Sequence, residues 1–193
     1  MRKNGADYGL TAGQCTANTD GVEHENGLNW PLVGTASSDT YQSGTTTSDA
    51  VIYRLNNQSA ATNEIISGDI YRHVIGTKVE GEGGRVCHSG VMTHTDCWEL
   101  IIEVGDEHLV LAHSLQYGYP YWVRFKNNFA CVAFATANGD SGAPVYTRSN
   151  FSPPYNAYAA GIVSYWWSDG GAYCFDLIAN ALNWTGTTIR TSG

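Results

Sequence analysis

Short runs in which apolar and polar side chains alternate recur along this chain, at 50–55, 98–104, 108–111 and 121–125. A period of two marks a strand with one buried face. Gly, Asn, Asp, Ser and Thr separate the runs at close spacing, which predicts an all-β chain, sandwich or barrel. Asn4-Gly5 reads as a turn into a short strand. Residues 17–47 are polar and read as surface loops. Residues 56–76 read as a linker between two halves, with one short strand around Ile65-Ile66. One stretch breaks the pattern: over 176–184, Leu177, Ile178, Ala181 and Leu182 share a helical face.

Length and charge narrow the function classes. The 193 residues suffice for one domain or two small fused barrels with a real core. Ten basic against eighteen acidic residues give a net charge of −8, which argues against nucleic acid or an anionic membrane as partner. No apolar run approaches the roughly 18 residues of a spanning helix, and none follows Arg2-Lys3 to make a signal peptide.

The cysteines number five. Cys87 and Cys97 lie ten positions apart, a spacing that suits a local disulfide, and Cys131 and Cys174 could form a second. Cys15 is then left over. Disulfides imply an oxidising compartment. Cys87, His88, His94 and Cys97 are also zinc-ligand types, but their spacing fits no common finger, so no metal is expected.

The stretch with the strongest chemical content is Asn138-Gly139-Asp140-Ser141-Gly142-Ala143-Pro144-Val145. An acyl-transfer serine needs an exposed hydroxyl and nearby backbone N–H groups to stabilise an oxyanion. Glycine on both sides lets the backbone take unusual dihedrals there. Gly-Asp-Ser-Gly is also ordinary hairpin chemistry. It is not the nucleophile elbow of α/β-hydrolases, which has Gly where Ala143 stands.

Four further blocks, in order with the Ser141 block, resolve the ambiguity. Thr11-Ala12-Gly13-Gln14-Cys15 resembles the Thr-Ala-Gly-His-Cys block of the chymotrypsin-type serine peptidases, above all the small bacterial secreted branch of streptogrisins and α-lytic protease. Ser48-Asp49-Ala50-Val51-Ile52-Tyr53-Arg54 resembles the catalytic-aspartate block, whereas the rival Asp39 leads into no strand. Arg85-Val86-Cys87-His88-Ser89-Gly90 with Cys97 resembles that branch's disulfide loop. The Ser141 block and Ala159-Ala160-Gly161-Ile162-Val163-Ser164 follow in the family's order.

This resemblance implies two antiparallel β-barrels with a short C-terminal helix, divided as 1–70 and 71–193, the first barrel lacking its N-terminal strand. It implies Ser141 as nucleophile, Asp49 as orienting acid and Gln14 in the histidine position. Gly139 and Ser141 would supply the oxyanion N–H groups. Ser164 would support Asp49 and, with Tyr165 and Trp166, bind substrate. It further implies secretion, a polypeptide substrate or inhibitor, a monomer, and no metal or organic cofactor.

Three departures qualify it. Only 13 residues precede Gln14, and Cys15 lacks a partner, as an N-terminally incomplete sequence would show. Residues 132–137 read as a small insertion ahead of Ser141. Third, glutamine cannot take up a proton near pH 7, so the general base is missing. His24, between Glu23 and Glu25, is a distant substitute. Two readings stand: a serine endopeptidase scaffold impaired at its base, and a pseudoprotease that binds peptides or glycans in the old cleft. An unrelated β-sandwich leaves the block order unexplained.

Overall fold

The computed structural model describes residues 1–15, 21–23, 32–36, 44–46, 48–113, 120–125, 128–133, 139–167 and 170–191. His24, Asp39, Asn138 and 134–137 of the expected insertion lie outside them. In chain order the strands are β1 (Arg2–Lys3), β2 (Ala6–Ala12), β3 (Gly21–Glu23), β4 (Leu32–Ala36), β5 (Gly44–Thr46), β6 (Ala50–Leu55), β7 (Glu64–Ser67) and β8 (Ile70–Thr77). There follow β9 (Arg85–Gly90), β10 (His94–Val104), β11 (His108–His113), β12 (Pro120–Phe125), β13 (Phe129–Val132), β14 (Pro144–Arg148), β15 (Asn156–Trp167), β16 (Ala172–Leu177) and helix α1 (Ile178–Thr185).

The second part of the chain closes on itself. Strands β14, β9, β10, β13, β16 and β15 pair in that order, and β15 pairs back with β14 to complete a six-stranded barrel. Inward-facing Val86, Ile101, Ala130, Val145, Val163 and Phe175 fill it. The N-terminal part forms an open sheet in the order β1-β2-β6-β4-β3, so the first barrel is partial among the described residues. Strands β11, β12 and β5 make a small third sheet. The expected all-β architecture with one short C-terminal helix therefore holds, with the second barrel closed and the first partial among the described residues.

Local chemistry explains several boundaries. Asn4 and Gly5 both have positive φ, 50° and 79°, the turn that matches the twist of the β1–β2 hairpin. The expected linker over 56–76 is corrected: β7 and β8 form a hairpin whose second strand pairs in parallel with β15. Alternation carries it, since Ile65, Ser67, Arg72 and Val74 are buried while Ile66 and Tyr71 face out. The helix expected over 176–184 begins later, at Ile178. Asp176 and Leu177 are drawn instead into β16 opposite Ile162 and Gly161, because ladder pairing outweighs helical periodicity at that point.

Leu10 of β2 packs with buried Ala50, Ile162 and Ala181, joining the open sheet to the barrel and helix. Two disulfides add covalent ties, Cys87–Cys97 and Cys131–Cys174, spanning 10 and 43 residues. Cys87 and Cys97 being bonded to each other overrides the zinc option at that loop. Because a cross-link removes more freedom from a longer loop, replacing Cys131 and Cys174 by Ala should cost about 4 kcal/mol and replacing Cys87 and Cys97 about 3 kcal/mol. Urea unfolding of the two double variants checks the order.

Candidate active site

The blocks around Gln14, Asp49, Ser141 and Ser164 converge on the seam between the open sheet and the barrel. Strand β2 ends at Ala12, and Gly13–Cys15 forms a 3-10 turn that holds the backbone of Gln14. Asp49 precedes β6 and is fully buried. The Gly13 N–H donates both to the Asp49 carbonyl at 2.5 Å and to its Oδ1 at 3.1 Å. This fixes the 3-10 turn against the acid.

Ser164 supplies the other side. Its Oγ donates to Asp49 Oδ2 at 2.5 Å. Its carbonyl accepts the Ser141 Oγ–H at 3.4 Å. Both contacts come from one residue because the β15–β16 register shifts between Val163 and Tyr165, which places Ser164 at a bulge. Bulges re-aim side chain and carbonyl in this way.

The Ser141 turn is pinned by backbone bonds on either side. Gly142 N–H donates to the Val163 carbonyl at 2.8 Å, and Val163 N–H donates to that of Ala143 at 2.9 Å. Gly139 and Gly142 have φ of 110° and 84°, where L side chains are strained. A Cβ on Gly142 would also meet Thr11 Oγ1 at 2.2 Å and the Ala12 nitrogen at 3.2 Å. The turn thus abuts the same β2 end that leads into Gln14. The free thiol of Cys15 donates to the Ser141 carbonyl at 3.3 Å.

Asp140, next to Ser141, turns away from the seam. Its Oδ1 accepts the N–H groups of Met92 at 2.8 Å and Thr93 at 3.4 Å, and its Oδ2 accepts the Thr93 hydroxyl at 2.8 Å. Behind Asp49 lies a second buried carboxylate, Asp176. It accepts Ser48 Oγ, the Asp49 N–H at 3.1 Å and Asn180 Nδ2 at 2.8 Å. Burial pushes the Asp176 carboxyl up to about 6, against the pull of those donors.

Of the residues expected to bind substrate, Tyr165 is 4% exposed and packs against Phe129 and His108. Trp166 is 44% exposed and lies against Tyr173, with ring centroids 4.8 Å apart. His108 Nε2 sits 3.9 Å from Cys131 Sγ and 2.6 Å from Glu103 Oε1. With Cys131 and Cys174 bonded to each other, that trio offers only the imidazole, so it does not make a metal site. Sequence reasoning missed Thr93, Glu99 and Asp176, and took His88 as a zinc-type residue and as part of the disulfide-loop block, without a role at the site. The one available signal was Glu99 in a strand whose apolar neighbours alternate with it.

A family model described as Trypsin matches residues 5–184. No curated protein sequence matches the chain. Among solved structures, it is similar to a glutamic acid specific serine protease that uses a histidine triad in substrate binding. That match has 21% identity over 98% of this chain and 89% of the other, with a TM-score of 0.73. Nocardiopsis protease matches at 21% identity over 99% and 89%, with a TM-score of 0.68. Thermobifida fusca protease A matches at 21% over 95% and 84%, with a TM-score of 0.67. At this identity the likeness speaks for the fold.

Two outcomes follow from the geometry. Gly142→Ala faces both the positive φ and the close approach of Thr11, so it should destabilise the protein by about 2 to 4 kcal/mol, measured by urea unfolding. Asp176 has a folded pKa above its ordinary value of 3.8. Its contribution is fully present below about pH 3.8 and is lost as pH rises through about 6. Relative to Asp176→Asn, the unsubstituted protein should lose on the order of 3 kcal/mol between about pH 4 and pH 7.5. A flat difference across that window contradicts the assignment.

Proposed function

Because this chain belongs to the trypsin family, we propose that it is a serine endopeptidase scaffold whose peptide-bond hydrolysis is silenced or strongly impaired by Gln14. The observation that carries the reading is the continuous link from Asp49 through Ser164 to Ser141, at 2.5 and 3.4 Å. In it Ser141 is the nucleophile that attacks a peptide carbonyl. Gly139 and Ser141 N–H groups receive the developing oxyanion. Asp49 is the acid that would hold a histidine in its correct tautomer, with Ser164 securing its carboxylate.

Gln14 stands where that histidine would. Its amide can hydrogen-bond, yet it cannot accept the serine proton or return it to the leaving amine. In serine proteases generally, losing the histidine costs about 10⁶ in kcat, with about 10³ to 10⁴ over water surviving from the oxyanion hole and binding. The missing step is proton transfer, and it is missing at one position.

The family implies peptide substrates, and two disulfides fit an extracellular site of action. Among the described residues, no helix is long and apolar enough to cross a membrane. We further propose a secreted monomer that takes a polypeptide substrate or inhibitor without a cofactor. The exposed Trp166 beside a base-less site favours a second reading, a pseudoprotease that retains peptides or glycans without cleaving them.

A fluorophosphonate probe separates the two. Gln14→His should label at Ser141 faster by several orders of magnitude, towards the roughly 10⁶ that a base supplies, and should gain peptidase activity. Ser141→Ala is the blank. A folded Gln14→His protein that labels no faster than the blank overturns the endopeptidase reading and leaves the binding module.

A further inference from the structure

Inside the closed barrel runs a chain of polar side chains that the proposed chemistry does not use. Glu99 on β10 is 3% exposed and His88 on β9 is 1% exposed, on the same strands that contribute Ile101 and Val86 to the apolar cluster of the barrel. Glu99 Oε1 lies 2.8 Å from His88 Nδ1. On its other side, His88 Nε2 lies 2.5 Å from Thr93 Oγ1. Thr93 then donates its hydroxyl proton to Asp140 Oδ2 at 2.8 Å. Asp140, 1% exposed, is the residue before Ser141. The fit is close: a Cβ on Gly90 would stand 2.1 Å from Asp140 Oδ1.

Donor accounting fixes where the protons are. A hydroxyl has one proton, and Thr93 spends it on Asp140. His88 must therefore donate from Nε2 to Thr93. That leaves Nδ1 facing Glu99 Oε1 with one further proton between them. We infer that His88 is a positioning residue for the Ser141 turn, and that this shared proton holds the turn's Asp140 clamp closed. When hydroxide removes the proton, forming water, one N–H remains on the imidazole. It moves to Nδ1, opposite the Glu99 anion. Nε2 becomes an acceptor, and the Thr93 hydroxyl turns from Asp140 to His88. Asp140 Oδ2 then loses that donor, and the turn presenting Gly139 and Ser141 loosens.

The surroundings favour the protonated pair. Among the described residues, the charged groups acting on His88 are acidic: Glu99 and Asp96 from β10 and Asp140 from the turn. Against it β13, β14 and β15 present Val132, Val145 and Val163, and β16 presents Phe175 and the Tyr173 phenol. Burial alone would lower the His88 pKa, but the hydrogen bond and charge of Glu99, with Asp140 and Asp96, hold it above the ordinary 6.5. Burial pushes Glu99 up as well, opposed by its bond to His88. Both directions keep the proton in the pair. The clamp is therefore closed at lower pH and opens as pH rises through a midpoint above 6.5.

The structural part stands without catalysis; only its effect on reactivity rests on the nucleophile reading of Ser141. Histidine imidazole and backbone amide resonances of the folded chain should be followed by NMR against pH. Glu99→Gln, Thr93→Val and Ser141→Ala serve as variants, and His88→Gln assigns the imidazole. The amides of Gly139, Asp140 and Gly142 should move with the His88 midpoint. In Thr93→Val, His88 should still titrate while those amides no longer follow. In Glu99→Gln the amide donates to Nδ1, so the closed-state shifts should persist across the range. Amides that ignore the His88 titration, or that follow it equally in Thr93→Val, overturn the inference. In a Gln14→His background, Thr93→Val should slow fluorophosphonate labelling about tenfold. If that background does not label at all, the nucleophile reading fails while the NMR result still decides the clamp.

Discussion

A carboxylate with no solvent contact must find donors within the protein, and Asp49 finds them on both sides of a seam. Gly13 at the end of β2 belongs to the open sheet, and Ser164 on β15 belongs to the barrel. Burying that acid unpaired would cost several kcal/mol or more. The two parts of the fold are thus docked in one register, the one that satisfies Asp49. The same register brings the Ser141 turn against Thr11 and Ala12. The seam is a requirement of electrostatics before it is a site of chemistry.

Much of this was legible in the sequence because the relevant signals are local. The apolar run at 50–55 marked β6, although Ala50, Val51 and Ile52 are buried in succession, on both faces, and only Tyr53 to Leu55 reach towards the surface. Asn4-Gly5 named its turn by the backbone angles it demands. The blocks around Asp49, Ser141 and Ser164 were identified by neighbours in sequence, and these three residues meet in space. The linker over 56–76 was misread because a strand that joins a sheet from outside, in parallel, carries only a half-buried pattern. Leu177 shows the converse error: its helical spacing is real, but its backbone is claimed by β16.

The polar interior was not legible, for a physical reason. Strand β10 inverts the usual rule, with Trp98, Leu100 and Ile102 exposed and Glu99 buried. Trp98 has φ of 74°, and the β9–β10 register shifts between Cys97 and Glu99, so the pairing turns at that point. An acid can face inwards only where a partner awaits it, here His88, eleven residues earlier on another strand. Such pairs are invisible to any local pattern. Asp176 is similar, since its donors Ser48 and the Asp49 N–H come from far back in the chain.

Strand β15 has three neighbours: β16, β14 and, in parallel, β8. An edge strand can peel away from its sheet and exchange its amide protons with water while the rest stays folded. Here β14 holds one edge over 157–162, while β8 and then β16 hold the other over 156–159 and 161–167, so the strand has no such private route along its paired length. Ser164 sits between Val163 and Tyr165, which pair with Phe175 and Cys174 of β16, so freeing it requires opening that seam of the closed barrel. Its exposure to solvent is then set by the global stability of the protein. Erosion of the fold and loss of the Asp49 to Ser141 geometry are one cooperative event, and residual order in a partly unfolded chain would preserve strands without preserving the seam.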